Sequence, residues 1–328
     1  MTVRPAFARP RLGISRCIEF DRCRYNGEMI GSEFVRRLRE HADFVTVCPE
    51  AEIGLGIPRD PIRIVLREGE KRLVQPSTGR DVTDTMAAFS HDFLDALGEV
   101  DGFILKSRSP SCGARDVRVY PDKKVAVAIS KESGMFGSKV LERLKGVPVE
   151  DEARLRNIKL GEHFLTGAFT LSSFRGLKDP EMADLIAFHS RNKLLLMMYS
   201  QKELKVLGNI VANRDGRDIP ALMADYRDHI RTALYRPPPC NAPVNVLMHA
   251  LGHFSGQLKR EEKAFFLETL RMYRDSRVPL SVCLNLMRSY IIRFGNDYLD
   301  AQTFFQPFPE GILEVGITDS CEWREMSV

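Results

Sequence analysis

The sequence predicts an α/β domain followed by an all-α domain, and three observations carry that reading. Up to about residue 155, short apolar runs alternate with helix-period patterns, as in βαβ units closing a mostly parallel, Rossmann-like sheet. From about residue 182 onward only the 3.6-residue period remains. A chain of 328 residues also has room for about two domains of ~100–200 residues each. The expected division is a tail over 1–10, an α/β domain over 11–160, a linker over 161–180 and a helical domain over 181–328.

In chain order, RLGIS (11–15) reads as a strand and EMIGSEFVRRLREH (28–41) as an amphipathic helix. DFVTV (43–47) is a second strand. VTDTMAAFSHDFLDALGEV (82–100) is a helix with Thr83 or Asp84 near its start, and it leads into a strand at GFILK (102–106). FGSKVLERLKG (136–146) closes the series as a helix that Gly146 stops. The second half carries apolar helical stripes over 182–213, 219–235, 243–258, 260–276 and 280–295. RDGRD, RPPPCNA and RVP separate these stripes with turn and helix-start residues, giving a bundle of about five helices.

Composition excludes several classes. No apolar run reaches the ~18 residues of a membrane helix, and MTVRPAFARPRLG lacks the apolar core of a signal peptide, so a cytoplasmic location is expected. Seven cysteines, an odd number, do not read as a disulfide framework. The net charge of +4 is uneven: residues 1–153 carry 25 basic and 24 acidic side chains, 154–300 carry 22 and 15, and 301–328 carry one and five. A basic second half suits either a polyanionic partner or a solvated helical surface.

The strand reading gives three cysteines a common place. Cys17 follows the first strand by two residues, Cys48 follows DFVTV directly, and Cys112 lies six residues beyond GFILK. In a parallel sheet all three fall beyond the carboxyl ends of strands, where ligands bind. They have no C-x-x-C spacing, so neither a zinc ribbon nor a ferredoxin pattern applies. Three soft thiolates with an open position suit a cluster or a catalytic metal, and Cys23 as a fourth ligand would close the shell. Cys240 and Cys283, set among helical residues, read as inert buried thiols.

The segments SRCIEFDRCRYNGE (15–28), CPEAEIGLGIPRDPIRI (48–64), DVT (81–83) and ILKSRSPSCG (104–113) resemble the thiouracil desulfidase (TudS) family over residues 11–155. LIAFHSRNKLLLMMYS (185–200) and YLDAQTFFQPFPEGI (298–312) resemble the YbgA-type helical domain. Together they look like fused, RudS-type tRNA 4-thiouridine desulfidases. The resemblance implies a 4Fe-4S cluster held by Cys17, Cys48 and Cys112, with tRNA as substrate. It puts the acidic residue on Glu50 and the loop hydroxyls on Ser107, Ser109 and Ser111, any of which is a candidate for the chemistry.

Physically, Glu50 is the candidate base for an attacking water, a loop serine the donor or proton relay, and Lys106 the cation for developing negative charge. Small-molecule members tend to read S-A-C-L-L-G at the first cysteine. Arg16 and Glu19 replace that pattern here and point to a larger, charged substrate. In the helical half, His189, Arg191 and Lys193 are candidates to contact RNA phosphate, although a solvated surface pair reads equally well for His189 and Lys193. His249 and His253 lack a zinc-protease glutamate and read as satisfied helix histidines. A desulfidase of free thiouracil or thionucleosides, and an RNA-binding or sensing module with a structural metal, are the other two readings.

Overall fold

A computed structural model describes residues 7–121 and 127–313. The first six residues of the expected tail, and the end of the acidic stretch from residue 314, lie outside the described residues. The chain divides into two compact units, Met1–Ser173 and Phe174–Val328.

The first unit opens with β1 (Arg11–Ser15), α1 (Glu33–Leu38) and β2 (Asp43–Val47). Ser32 caps α1, its side chain accepting from Val35 N–H, so the helix starts later than the apolar pattern from residue 28 suggests. Next come α2 (Pro49–Glu52), the hairpin β3 (Arg63–Arg67) and β4 (Glu70–Val74), α3 (Thr83–Ala96), and β5 (Gly102–Leu105). The unit continues with β6 (Val117–Pro121), β7 (Ser130–Glu132), α4 (Met135–Arg143) and β8 (Val149–Asp151). Strands β2-β1-β5-β8 form a wholly parallel sheet, in register from Arg11↔Asp43 to Leu105↔Asp151.

A second sheet, β4-β3-β6-β7, is mixed, with antiparallel pairs at both edges. The sequence reading missed it because its strands are half-polar. In β3, Ile64 is buried while Arg63 and Arg67 are exposed. One apolar cluster ties the two sheets to α3 and α4, through Val47, Ile64, Phe103, Leu105, Val119, Met86, Phe136 and Val140.

The stretch from residue 161 to 180 holds most of α5 (Ile158–Arg175), inside which the division after Ser173 falls. The second unit is helical: α6 (Met182–Tyr199), α7 (Gln201–Ala212), α8 (Ile219–Ala233), α9 (Ala242–Gly252), α10 (Arg260–Arg274), α11 (Leu280–Phe294) and the short α12 (Asp297–Asp300). The stripe read as one element over 182–213 is two helices. Ser200 adopts an extended backbone, ends α6, and caps α7 by accepting from Glu203 N–H. Gln302 straps the segment after α12 onto α6, donating to Ser190 O and accepting from Leu194 N–H. Among the described residues no helix is long and apolar enough to cross a membrane.

Candidate functional site: a thiol cluster beside a held carboxylate

Because β2, β1 and β5 run parallel, the loops after them leave one edge of the sheet. Cys17 lies two residues past β1, and Cys48 immediately precedes α2. Cys112 follows β5 by seven residues. All three are buried, as is Cys23, which has no exposed surface. Cys48 is the N-terminal boundary residue of α2, with Pro49 taking the first helical position, where no amide hydrogen is needed. That turn carries Glu50 two residues beyond Cys48.

Three of the thiols, Cys17, Cys23 and Cys48, are neighbours. Cys23 makes side-chain hydrogen bonds with Cys17 and Cys48, and the Cys48 thiol also donates to Cys23 O at 3.6 Å. The hydrogen bond with Cys17, helped by burial, raises the Cys23 thiol. The contact with Cys23 and then burial raise Cys48. Burial pushes Cys112 up to about 12; the charges of Glu50 and Cys48 add to this, while Ser15 and Ser111 hydrogen bonds oppose it. Ser111, hydrogen-bonded to Glu50 and 3.7 Å from Cys112 Sγ, brings the carboxylate and the Cys112 thiol to one locus.

The loop holding Cys112 is fixed from behind by the start of α4. Met135, Gly137 and Gly134 donate their amides to Pro110 O, Ser111 O and Gly113 O, at 3.0, 2.9 and 2.7 Å. Amides at a helix start have no partner in their own helix, and here the loop carbonyls serve as their acceptors. The approach demands glycine. A Cβ at Gly134 would lie 2.5 Å from Ser111 O, and one at Gly137 2.5 Å from Gly113 O. The loop also turns on its own serine, since Ser109 Oγ accepts from Cys112 N–H at 3.1 Å.

Of the expected residues, the structure brings Glu50, Ser109 and Ser111 together. Ser111 Oγ donates to Glu50 Oε1 at 2.5 Å, Ser109 Oγ lies 3.0 Å from Ser111 Oγ, and Ser111 is 3.7 Å from Cys112 Sγ. The other carboxylate oxygen belongs to Arg59, whose Nε and Nη2 donate to Glu50 Oε2 at 2.9 and 2.8 Å. Arg59 Nη1 donates further to Cys23 O and Gly56 O, and its side chain is only 3% exposed. The sequence reading missed Arg59. Its signal was present in GIPRDP, but an arginine between two prolines reads as a solvated loop residue.

Lys106 and Ser107 are not part of this group. Lys106 Nζ donates to Glu152 Oε1 at 2.7 Å, and Ser107 donates to the same carboxylate through its amide and its hydroxyl, at 2.7 and 2.9 Å. Glu152, itself 6% exposed, thus holds the start of the loop whose far end Glu50 receives. Arg16 and Glu19 are also engaged within the unit. Arg16 pairs with Glu52 at 3.1 Å and contacts the Cys23 thiol, while Glu19 accepts from Ser32 N–H and pairs with Arg36.

In the helical unit, Arg191 and Lys193 are exposed. His189 is half-buried and faces inward, its Nδ1 3.1 Å from Tyr226 Oη and its ring edge-on to Tyr226. Burial first, and then the Lys193 charge, lower its pKa. The i, i+4 pair is uneven: Lys193 is exposed, while His189 is half-buried against Tyr226. His249 and His253 are exposed, with His253 stacked on Tyr298. Cys283 is buried and donates to Thr269 O.

Among the described residues no three of His, Cys, Asp and Glu are drawn together tightly enough to grip a single ion. An iron–sulfur cluster places different demands on its ligands, since each thiolate meets a different iron. The donor set here, soft sulfur without imidazole, is of the kind such clusters take. A fold with parallel strands, thiols beyond their carboxyl ends and a held carboxylate beside them defines a class: a thiol-rich α/β site with an adjacent carboxylate.

Residues 12–152 match the family of 2-thiouracil desulfurases, and residues 193–309 match a family of unknown function, DUF1722. The chain is 34% identical over 135 residues to the uncharacterized protein YbbK of Bacillus subtilis, a match covering 37% of this chain and 89% of that protein. It is 27% identical over 147 residues to the uncharacterized protein YbgA of Escherichia coli, covering 44% of this chain and 87% of that one. A solved 4Fe-4S-dependent thiouracil desulfidase, TudS, is 29% identical and matches 47% of this chain and 98% of its own, with a TM-score of 0.36. The first unit belongs to the 2-thiouracil desulfurase family, and the second carries a YbgA-like DUF1722 domain.

Proposed function

We propose that the protein is a hydrolytic desulfidase. It removes sulfur from a thiocarbonyl base, with 4-thiouridine in tRNA as the substrate, and releases uridine and sulfide. One observation carries the chemical part: Glu50 has one oxygen pinned by the buried Arg59 and the other turned to Ser111, beside four buried thiols. Family membership supplies the reaction class.

Cys17, Cys48 and Cys112 are the residues that would hold a 4Fe-4S cluster. When bound, it would supply a soft Lewis acid that polarises the C=S bond without transferring an electron. The protein's own groups do the rest. Arg59 neutralises Glu50 Oε2, leaving Oε1 as the oxygen that takes a proton from water. General-base help of this kind is typically worth 10²–10⁴-fold. Ser111, hydrogen-bonded to that oxygen, and Ser109 behind it carry the proton onward toward the leaving sulfur or the ring. Lys106 and Ser107 keep the loop in place through Glu152.

For the substrate, the basic surplus of residues 154–300 and the exposed Arg191 and Lys193 support a phosphate backbone. The exposed Tyr235 is available to stack on a base. A 4-thiouridine would have to leave its stack to reach the thiols, as base-modifying enzymes require. Free thiouracil is the second reading, and the engagement of Arg16 with Glu52 favours it, because that arginine is already neutralised.

The test is anaerobic. Protein with reconstituted cluster is mixed with 4-thiouridine-bearing tRNA or with free thiouracil, and loss of thiocarbonyl absorbance is followed together with sulfide. Turnover of tRNA that weakens steeply with salt, and falls further in Arg191→Glu/Lys193→Glu, is expected. Turnover of thiouracil alone overturns the tRNA substrate and leaves the desulfidase standing.

A further inference from the structure

The chain from β5 into the Cys112 loop is largely shielded from solvent, and Arg108 is the exception. From Gly102 to Ala114 it is the one exposed residue. Its backbone is left-handed, with φ at 56°, a conformation that glycine adopts freely and that strains a residue bearing a side chain. Elsewhere in the chain the same conformation has a local reason. Asn213 and Ser276 follow helix ends, and Glu68 shares a two-residue hairpin turn with Gly69. Glu19 is anchored through its carboxylate by Ser32 N–H and Arg36. Arg108 has no such anchor: among the described residues no hydrogen bond or ion pair holds its guanidinium.

The residues on both sides of it are fixed. Ser107 is tied to Glu152, while Ser109 lies 3.5 Å from Glu50 Oε1 and accepts from Cys112 N–H. Arg108 therefore stands one peptide away from the Glu50–Ser109–Ser111 group, on backbone that its neighbours hold. Its charge is also uncommitted. In the loops beyond the carboxyl ends of β1, β2 and β5, Arg16 pairs with Glu52, Arg24 with Glu28 and Arg59 with Glu50. Lys106 pairs with Glu152 and Arg115 with Glu150. Among the described residues of those loops, Arg22 and Arg108 are the two cations without a carboxylate. Arg22 is exposed as well, but its φ is not positive. A strained, firmly mounted and unpaired guanidinium beside a reactive group suits an anion that arrives from outside.

We infer that Arg108 is a specificity-determining residue of this site and takes a phosphate of the nucleotide whose base is processed. The inference rests on the proposed reaction and narrows its substrate class. A phosphorylated thionucleoside, free or within a strand, is favoured over a bare thiobase. Guanidinium meets phosphate through two parallel N–H bonds, which supply geometry as well as charge. The neutralised Arg16 thus does not leave the site without a cation. Glycine at position 108 would keep the left-handed backbone and remove only the contact, which separates the two roles of the residue.

Calorimetry on the full-length protein compares uridine, the expected product, with its 5′- and 3′-monophosphates, so that no turnover intervenes. Both phosphates are used because a nucleotide within a strand carries one on each side. At least one monophosphate is expected to bind the wild type about tenfold more tightly than uridine, as hydrogen bonds to a charged group allow. The preference is expected to vanish in Arg108→Ala and Arg108→Gly, to survive in part in Arg108→Lys, and to persist in Arg22→Ala. Equal binding of all three ligands to the wild type overturns the inference, as does a preference that survives in Arg108→Gly. A preference that Arg22→Ala erases just as fully also overturns it, because the sheet edge would then act as diffuse charge. If the preference depends on Arg108 but no thiocarbonyl compound is turned over, the proposed reaction fails and the phosphate contact stands.

Discussion

Two carboxylates, Glu50 and Glu152, grip opposite ends of the same loop, and the two grips differ in what their oxygens face. Each has a cation and a serine. Glu50 has Arg59 and Ser111; Glu152 has Lys106 and Ser107. Glu152 spends both oxygens on the loop, bonding to the Ser107 amide with one and to Lys106 and the Ser107 hydroxyl with the other. Glu50 gives one oxygen to Arg59, and its other oxygen meets a serine next to a thiol. Similar composition thus yields a closed knot at one end of the loop and, at the other, a carboxylate oxygen that faces a serine beside the Cys112 thiol.

The largest expected effect breaks the comparison at Glu50. Glu50→Gln keeps the shape and the iron content and is expected to slow sulfide release by about 10²–10⁴-fold. Glu152→Gln leaves an unmatched Lys106 beside a buried loop. It is expected to lower stability by about 1–3 kcal/mol in denaturant titration while changing kcat little. If the two variants lose activity equally without unfolding, the distinction between the two ends fails.

Next come the serines. Ser111→Ala removes a donor to a charged oxygen, worth about 1.5–3 kcal/mol, so kcat is expected to fall by roughly 10–100-fold. Ser107→Ala is expected to leave kcat unchanged and to cost about 1 kcal/mol of stability. A third comparison concerns Arg59. Arg59→Lys keeps the charge but not the fork, and Lys is not a substitute at such sites. The expected readout is a drop in kcat with KM unchanged and iron content retained.

The smallest effect lies away from the site. Burial acts to raise the Asp81 carboxyl, but hydrogen bonds from the Thr83 hydroxyl and amide, and the Arg72 guanidinium, outweigh it and hold the group below its ordinary value. A depressed carboxylate contributes stability that is present above its unfolded value and is lost as pH falls through the folded one. Asp81→Asn is therefore expected to lower stability only slightly near neutrality, because solvent screens a surface pair, and to flatten the acid limb of the stability–pH curve.

The gathering of cysteines at one sheet edge was legible because three short apolar runs imply parallel strands, and parallel strands share a direction. Contacts made by charged side chains in loops were not legible. Arg59 lies nine residues beyond Glu50, and nothing local marks it as buried; its burial follows from the pairing itself. Glu152 sat in VEDEARLRN, a charge-rich run that reads as the end of a domain, yet Lys106 and Ser107 draw it inside. The second sheet escaped because its strands carry arginine on one face. His189 escaped because i, i+4 spacing gives a shared direction along a helix but not the line where burial ends.

In the proposed reaction Glu50, held by Arg59 beside the Cys17, Cys48 and Cys112 thiols, drives hydrolysis of a C=S bond without electron transfer. The most direct measurement is anaerobic turnover of a thiocarbonyl substrate by the reconstituted protein without any reductant, with sulfide counted against thiocarbonyl lost. The account predicts one sulfide for each thiocarbonyl, with activity abolished in Cys112→Ala and nearly abolished in Glu50→Gln at unchanged iron content. Turnover that requires a reductant, or a Glu50→Gln variant as active as the wild type, would contradict it.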